Sequence, residues 1–286
     1  MHWATPNAGV WDASLNDKVG GHPAAAVYEI VEIIDKNRLK IYPAPKADGK
    51  NVSYSIGMRN YYQMRVSSCH FFMLDCRGIR QVHDKKNPWK KGVSMIGPKQ
   101  KAWLKEGMSK SDADFFFVVS SVNFTIPHVG PGPPGKDEAW TVYMDEREEL
   151  INFWDGLGKP VFVLTGDLHN SFAIKITDRV WEFASGPHNS SNHLLEHEAG
   201  RPPNGDFEYN GRKVNIRWSS FFLNDVTIRS YPFFCVVQVN NVFNNPLKLG
   251  ENRWVAYPQP HVIFKYYDGL NGELMYAEAI AASKRK

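Results

Sequence analysis

Cysteine is scarce: the 286 residues hold three, Cys69, Cys76 and Cys235. Three cannot all pair, and none falls in a CxxC or Cys/His spacing, so neither a disulfide framework nor a structural zinc knuckle is indicated. They read as free, small apolar side chains, compatible with a reducing compartment. Long apolar runs are also missing; none reaches the roughly 18 residues a membrane span requires. The opening residues, Met1-His2-Trp3-Ala4-Thr5-Pro6-Asn7, show neither the basic start nor the apolar stretch of a secretory signal. Net charge is only +4 and the pI about 8.8. Such mild basicity suits an anionic substrate but not the patterned basic stripe of a nucleic-acid binder. The dense run Lys284-Arg285-Lys286 reads as a solvated tail. No G-x-S-x-G elbow, Walker loop or dinucleotide fingerprint occurs, which argues against serine-hydrolase, P-loop and Rossmann chemistry.

What the chain has in quantity is aromatic surface: nine Trp and seventeen Phe, within a 13% aromatic share, suit a sheet-based core. Residues 1–60 read as a loop followed by a β-hairpin, with strands at Val27–Ile34 and Leu39–Tyr42 around the turn Asp35–Arg38. From 61 to 286 the pattern predicts one domain with a β-rich C-terminal part. Buried strands are expected at His70–Leu74, Phe115–Val119 and Val161–Thr165, and helices at Pro98–Met108 and Asp145–Leu157. Further strands are expected at 171–176, 180–184, 214–218, 227–230, 236–239, 261–267 and 274–277. Residues 127–135 suggest a Gly/Pro loop that rims a site, and 198–212 an exposed one. Strand, helix, strand in the middle and a run of strands at the end argue for a mixed-sheet α/β or α+β domain.

Three of these strands end in polar groups. Asp75 and Arg77 follow the first, Ser120, Ser121 and Asn123 the second, and Asp167, His169 and Asn170 the third. If their carboxyl ends share one sheet edge, these groups form a crevice of the kind open α/β sheets use for ligands. In Thr165-Gly166-Asp167-Leu168-His169-Asn170, a carboxylate and an imidazole alternate and would face one side of an extended segment. That pair suits a metal of borderline hardness, although Gly-Asp after a strand is also an ordinary turn. Arg77 or Arg80 offers a bidentate grip on phosphate, or Arg77 an internal ion pair with Asp75. Asn123 suits either a metal or phosphoryl contact or a turn cap. His188 and His193, in a polar loop, are candidate general acids or ligands, or surface histidines.

The residues Val163-Leu164-Thr165-Gly166-Asp167-Leu168-His169-Asn170-Ser171-Phe172-Ala173 resemble the "SGDxHxSFA"-type block of PhoD-type alkaline phosphatases, within the calcineurin-like metallophosphoesterase superfamily. Phe71 to Arg80 is similar to that family's strand ending in "LDxRxxR", and Gly97 to Leu104 to its "GxxQxxWL" helix. Phe117–Val122 and the Val180-Trp181-Glu182-Phe183 strand resemble the strands that follow, in the family's order, from about residue 60 to about 190.

The resemblance implies a metallophosphoesterase-type β-sandwich flanked by helices, with metal at the strand ends. It implies metal-dependent hydrolysis of phosphate esters by a metal-activated water, the ions being iron, calcium, zinc or manganese. Asp167 and His169 stand in the last ligand block, where most of the superfamily carries "GHxH". Asn123 and Arg77 are the implied catalytic residues, joined by His188 as the candidate general acid read from its loop, with Arg77 and Asn170 as phosphate contacts. The superfamily's earlier "DxH", "GDxxD" and "GNHD/E"-like blocks are not found in residues 1–60, where Val10-Trp11-Asp12 only faintly matches a "WDDHE"-like block. Either the chain is the C-terminal portion of a longer protein or its metal site is incomplete. The alternative is a catalytically inactive relative serving as an interaction or ligand-binding module through Trp3, Trp11, Trp89 and Trp140. Relatives are often exported. The expected partner is a small phosphate ester, with no specific nucleic-acid binding; nothing indicates the oligomeric state.

Overall fold

The computed structural model describes residues 2–4, 26–42, 44–45, 47–50, 53–55, 60–81, 83–84, 86–129, 139–190, 192, 195–220, 231–247, 250 and 253–284. Val10-Trp11-Asp12, His193, 227–230 and most of the expected 127–135 loop lie outside them.

Short strands β1 (His2–Ala4) and β2 (Ala26–Val27) come first, then the hairpin β3 (Glu29–Asp35) and β4 (Arg38–Tyr42), then β5 (Ser53–Ser55). β1 pairs with β2 and β5, whereas β3 and β4 pair with each other. The central sheet is built from β6 (Tyr62–Val66), β7 (Cys69–Met73), β8 (Phe115–Val119), β9 (Val161–Thr165), β10 (Phe172–Lys175), β11 (Val180–Ala184), β12 (Gly205–Tyr209) and β13 (Arg212–Ser219). Its order is β12-β13-β10-β11-β9-β8-β7-β6, with β7, β8, β9 and β11 parallel and the flanking pairs antiparallel. Helices α1 (Gly97–Ser109) and α2 (Met144–Gly156) make the crossovers from β7 to β8 and from β8 to β9. The chain closes with a second antiparallel sheet of β14 (Phe233–Asn244), β15 (Trp254–Asp268) and β16 (Leu274–Ala281).

The run Phe115-Phe116-Phe117-Val118-Val119 explains the layering. All but Val119 are buried, so both faces of the strand need a cover. Phe116 and Val118 join a core with Leu104 and Met108 of α1 and Leu150, Ile151 and Trp154 of α2. Phe115 and Phe117 face the other way and join Phe162, Phe183, Trp218, Phe264 and Tyr266 in a core between the two sheets. Phe183 stacks on Phe264 with centroids 3.5 Å apart, and the Tyr266 hydroxyl donates to the Phe172 carbonyl at 2.7 Å. The architecture is thus a helix-flanked β-sandwich, mixed α/β in class. Among the described residues no helix is long and apolar enough to cross a membrane.

Three expectations need correction. Residues 198–212 are not simply an exposed loop: Glu198 and Arg201 are fully buried and 205–209 form a strand. Trp140 is fully buried in the core with Phe124 and Trp154, so it is not a surface aromatic. The C-terminal strands are far longer than expected, at 12 and 15 residues for β14 and β15.

Candidate active site

Because β7, β8 and β9 are parallel neighbours, their polar carboxyl ends lie side by side at one edge. At the end of β7, Asp75 turns back on its own chain. Its Oδ1 accepts the backbone N–H groups of Arg77 at 3.1 Å and Gly78 at 2.6 Å. A Cβ at position 78 would lie 2.3 Å from Asp75 Oδ2, so a larger residue there would push that carboxylate out of its turn. Buried Gln100 of α1 locks the Asp75 backbone, accepting its N–H at 2.8 Å and donating to its carbonyl at 3.0 Å. The turn sends Arg77 past β8 to the end of β9, where Nη2 reaches Asp167 Oδ1 at 3.2 Å.

At the end of β8, the Ser120 hydroxyl donates to the Val122 carbonyl at 2.6 Å and accepts from Trp140 Nε1 at 3.1 Å. Cys76 Sγ lies 3.4 Å from the same hydroxyl, tying β7 to β8. Asn123 is fully buried; its amide N–H donates to the Ile126 carbonyl, and its Oδ1 makes no hydrogen bond among the described residues. Glu182, in the middle of β11, joins this turn to β9. Its buried carboxylate accepts from the N–H groups of Phe124 and Thr125, both at 2.8 Å, from the Thr125 hydroxyl, and from Thr165 Oγ1 at 2.8 Å. Burial pushes this carboxyl above its ordinary value, against the pull of those donors.

At the end of β9 the chain bends. Asp167 has φ +73°, a left-handed conformation that Asp tolerates better than most residues. The expected extended alternation is therefore replaced by a turn anchored on buried Leu168. Asp167 and His169 nevertheless line the same open cleft, of about 270 Å³, with Asn170, His188 and Ser190. His169 Nδ1 lies 3.2 Å from the Ser190 hydroxyl, which orients the ring. Ser171 Oγ accepts the Gly186 N–H at 3.0 Å and donates to its carbonyl at 2.9 Å, holding the facing loop in place.

A family model described as PhoD-like phosphatase matches residues 48–219, which cover all three strand ends. The chain belongs to the PhoD-like phosphatase family. A solved structure titled "Structure of PhoD" is similar at 16% identity and a TM-score of 0.46. The similarity covers 80% of this chain and 45% of that one, so the chain spans less than half of that structure's length. No curated protein matches.

In this PhoD-like domain, Asp167, His169, Asn170 and His188 line the cleft, with His188 exposed on its rim, and Arg77 reaches it through Asp167. Asn123 sits apart, inside the adjacent turn. Asn170 is buried, its amide donating to Glu198 at 2.6 Å and accepting from Asn192 at 3.3 Å. Sequence pattern alone singles out neither Glu182 nor Ser190. For Glu182 a signal exists in the lone carboxylate inside the apolar strand Val180-Trp181-Glu182-Phe183-Ala184, since a buried charge needs a reason. Nothing in its polar loop distinguishes Ser190. Among the described residues no three His, Cys, Asp or Glu side chains cluster as a metal site would need. Asp167 and His169 are two donors, one short of the three protein ligands of a catalytic zinc site. The described residues do not by themselves fit a metal ion.

Proposed function

We propose that the cleft hydrolyses phosphate esters, with Asp167 and His169 as one ligand pair of its metal site. The observation that carries this reading is the meeting of Arg77, from the end of β7, with Asp167 beside His169 at the end of β9, two strands away in the parallel part of the sheet, in a chain of the PhoD-like phosphatase family. That family is generally metal-dependent, and iron, calcium, zinc and manganese are the candidate ions. Arg77 places positive charge at the cleft for a phosphoryl oxygen, a role its planar fork suits. His188, exposed on the rim, would serve as the general acid toward a leaving group.

The test is turnover of p-nitrophenyl phosphate and bis-p-nitrophenyl phosphate with each metal added in turn. His169→Ala is expected to abolish metal-dependent turnover, and an unchanged rate in that variant overturns the assignment. The lack of a three-donor cluster among the described residues favours a second reading, an inactive relative that serves as a binding module. Metal analysis separates the two: near-stoichiometric metal supports the enzyme, whereas neither metal nor esterase activity supports the module.

A further inference from the structure

Behind the cleft lies a chain of buried polar side chains that phosphate-ester hydrolysis does not itself require. Glu198 and Arg201 are fully buried and pair at 2.6 Å through Glu198 Oε2 and Arg201 Nε. Arg201 also donates to the Ser219 hydroxyl at 3.0 Å and lies 5.2 Å from the centroid of the Phe172 ring. The other carboxylate oxygen of Glu198 accepts from Asn170 Nδ2 at 2.6 Å, and Asn170 Oδ1 accepts from Asn192 Nδ2 at 3.3 Å. Asn192 Oδ1 in turn accepts the Tyr231 N–H at 2.8 Å, and the Tyr231 hydroxyl donates to Asp268 of β15. The last two residues lie beyond the stretch that matches the family model.

Removing two charges from water is costly, and apolar residues of similar volume often replace a buried ion pair without loss. Stability alone therefore does not account for this pair. Its geometric consequence is plain: Asn170 immediately follows His169, and both ends of its amide are clamped, one by Glu198 and one by Asn192. Ser171, the next residue, is fixed too, its N–H donating to Ser220 Oγ at 3.0 Å.

We propose that Glu198, acting through Asn170, is a positioning residue for His169, and that the C-terminal sheet reinforces the clamp through Tyr231 and Asn192. The proposal rests on the cleft being the hydrolytic site, and it assigns Asn170 to holding the turn rather than to touching phosphate.

Glu198→Ala would strand the Arg201 charge and risk unfolding, so the informative variant is Glu198→Leu/Arg201→Met in the full chain. It keeps the volume apolar and deprives Asn170 of its acceptor. The expected result is a retained melting temperature, kcat for p-nitrophenyl phosphate lowered about 10- to 100-fold, as supporting-residue changes typically produce, and KM unchanged. Hydrogen exchange at the amides of residues 168–170 should accelerate about tenfold or more. Asn192→Ala, which leaves the ion pair intact, should accelerate the same amides to a smaller extent. Unchanged exchange in a folded double variant overturns the proposal, whatever the activity. So does a loss of kcat that appears only with a collapsed melting temperature. Faster exchange in a chain whose wild type shows no turnover supports the clamp and rejects the hydrolytic reading instead.

Discussion

Gly78→Ala puts the geometry of the β7 turn to a direct test. The added methyl would lie 2.3 Å from Asp75 Oδ2 and 3.0 Å from its Cγ, closer than atoms pack. Position 78 has no positive φ, so the backbone itself accepts alanine and the clash falls on the Asp75 carboxylate. Rotating that side chain away breaks the bonds from the Arg77 and Gly78 N–H groups. Hydrogen bonds to a charged group contribute about 1.5–3 kcal/mol each when well protected. Arg77 is exposed, so water recovers part of this, and alanine restricts the unfolded chain by about 0.4–1 kcal/mol in compensation. A net loss of about 1–2 kcal/mol is expected. At about 2–4 °C per kcal/mol for domains approaching this size, the melting temperature should fall by several degrees. Turnover should fall further, because Arg77 loses the turn that aims it at Asp167, and a displacement near 1 Å can cost about a hundredfold. Gly156→Ala is the matched control. It sits near the end of α2 with nothing within 4 Å of where its Cβ would stand, so the same methyl should stabilise by about 0.5–1 kcal/mol. Urea unfolding followed by tryptophan fluorescence and phosphate-ester turnover read both variants. A Gly78→Ala protein as stable and as active as wild type would refute the reasoning.

Two further outcomes follow from the cores. Phe264→Ala removes the ring that stacks on Phe183 and packs against Phe162 between the sheets, and should cost about 3–5 kcal/mol in urea denaturation; a loss under about 1 kcal/mol would mean the second sheet is not docked there. Burial pushes the Cys76 thiol up to about 11 and the Cys235 thiol up to about 12. At pH 8 roughly one Cys76 in a thousand is then thiolate. Intact-mass analysis after iodoacetamide should therefore show a native chain that resists alkylation at these two positions and a denatured chain that takes three groups. Rapid labelling of Cys76 in the native protein contradicts its placement.

The parallel strands and both crossover helices are legible in the sequence because their signals are local. The apolar runs at 115–119 and 161–165 are short and bounded, and α1 and α2 carry proline or acidic residues at their starts. The C-terminal ribbon is hidden for a physical reason. Pro258 and Pro260 look like strand breakers, yet they fall where the β14–β15 register shifts between Asn240 and Val242, and no ladder N–H is needed there. Gly205 and Asp206 likewise disguise β12 as loop. The Glu198–Arg201 pair is invisible because it lies in a Gly/Pro-rich stretch, where polarity normally means exposure. Its burial comes from the long-range packing of Phe172 and Ser219 around it. At the cleft, sequence spacing brings out Asp167 and His169 but not the left-handed bend at Asp167.

The acidic residues divide by what their charge already does. Glu146 accepts from Ser94 Oγ and from the backbone of Met95 and so holds the approach to α1. Glu182 joins the turns after β8 and β9, Glu198 clamps Asn170, and Asp75 closes its own turn. The three glutamates are almost wholly inaccessible, and their oxygens are taken up by protein donors. Asp167 differs: it opens onto the cleft and pairs there with the guanidinium of Arg77, the side chains being 28% and 45% exposed respectively. An exposed pair of this kind contributes little to stability, about 0–1 kcal/mol. Asp167 can therefore exchange Arg77 for another cationic partner at small cost, whereas the glutamates cannot release theirs without leaving buried charge unsatisfied. Substitutions should accordingly separate, with loss of folding at Glu146, Glu182 or Glu198 taken singly and loss of activity in a stable protein at Asp167.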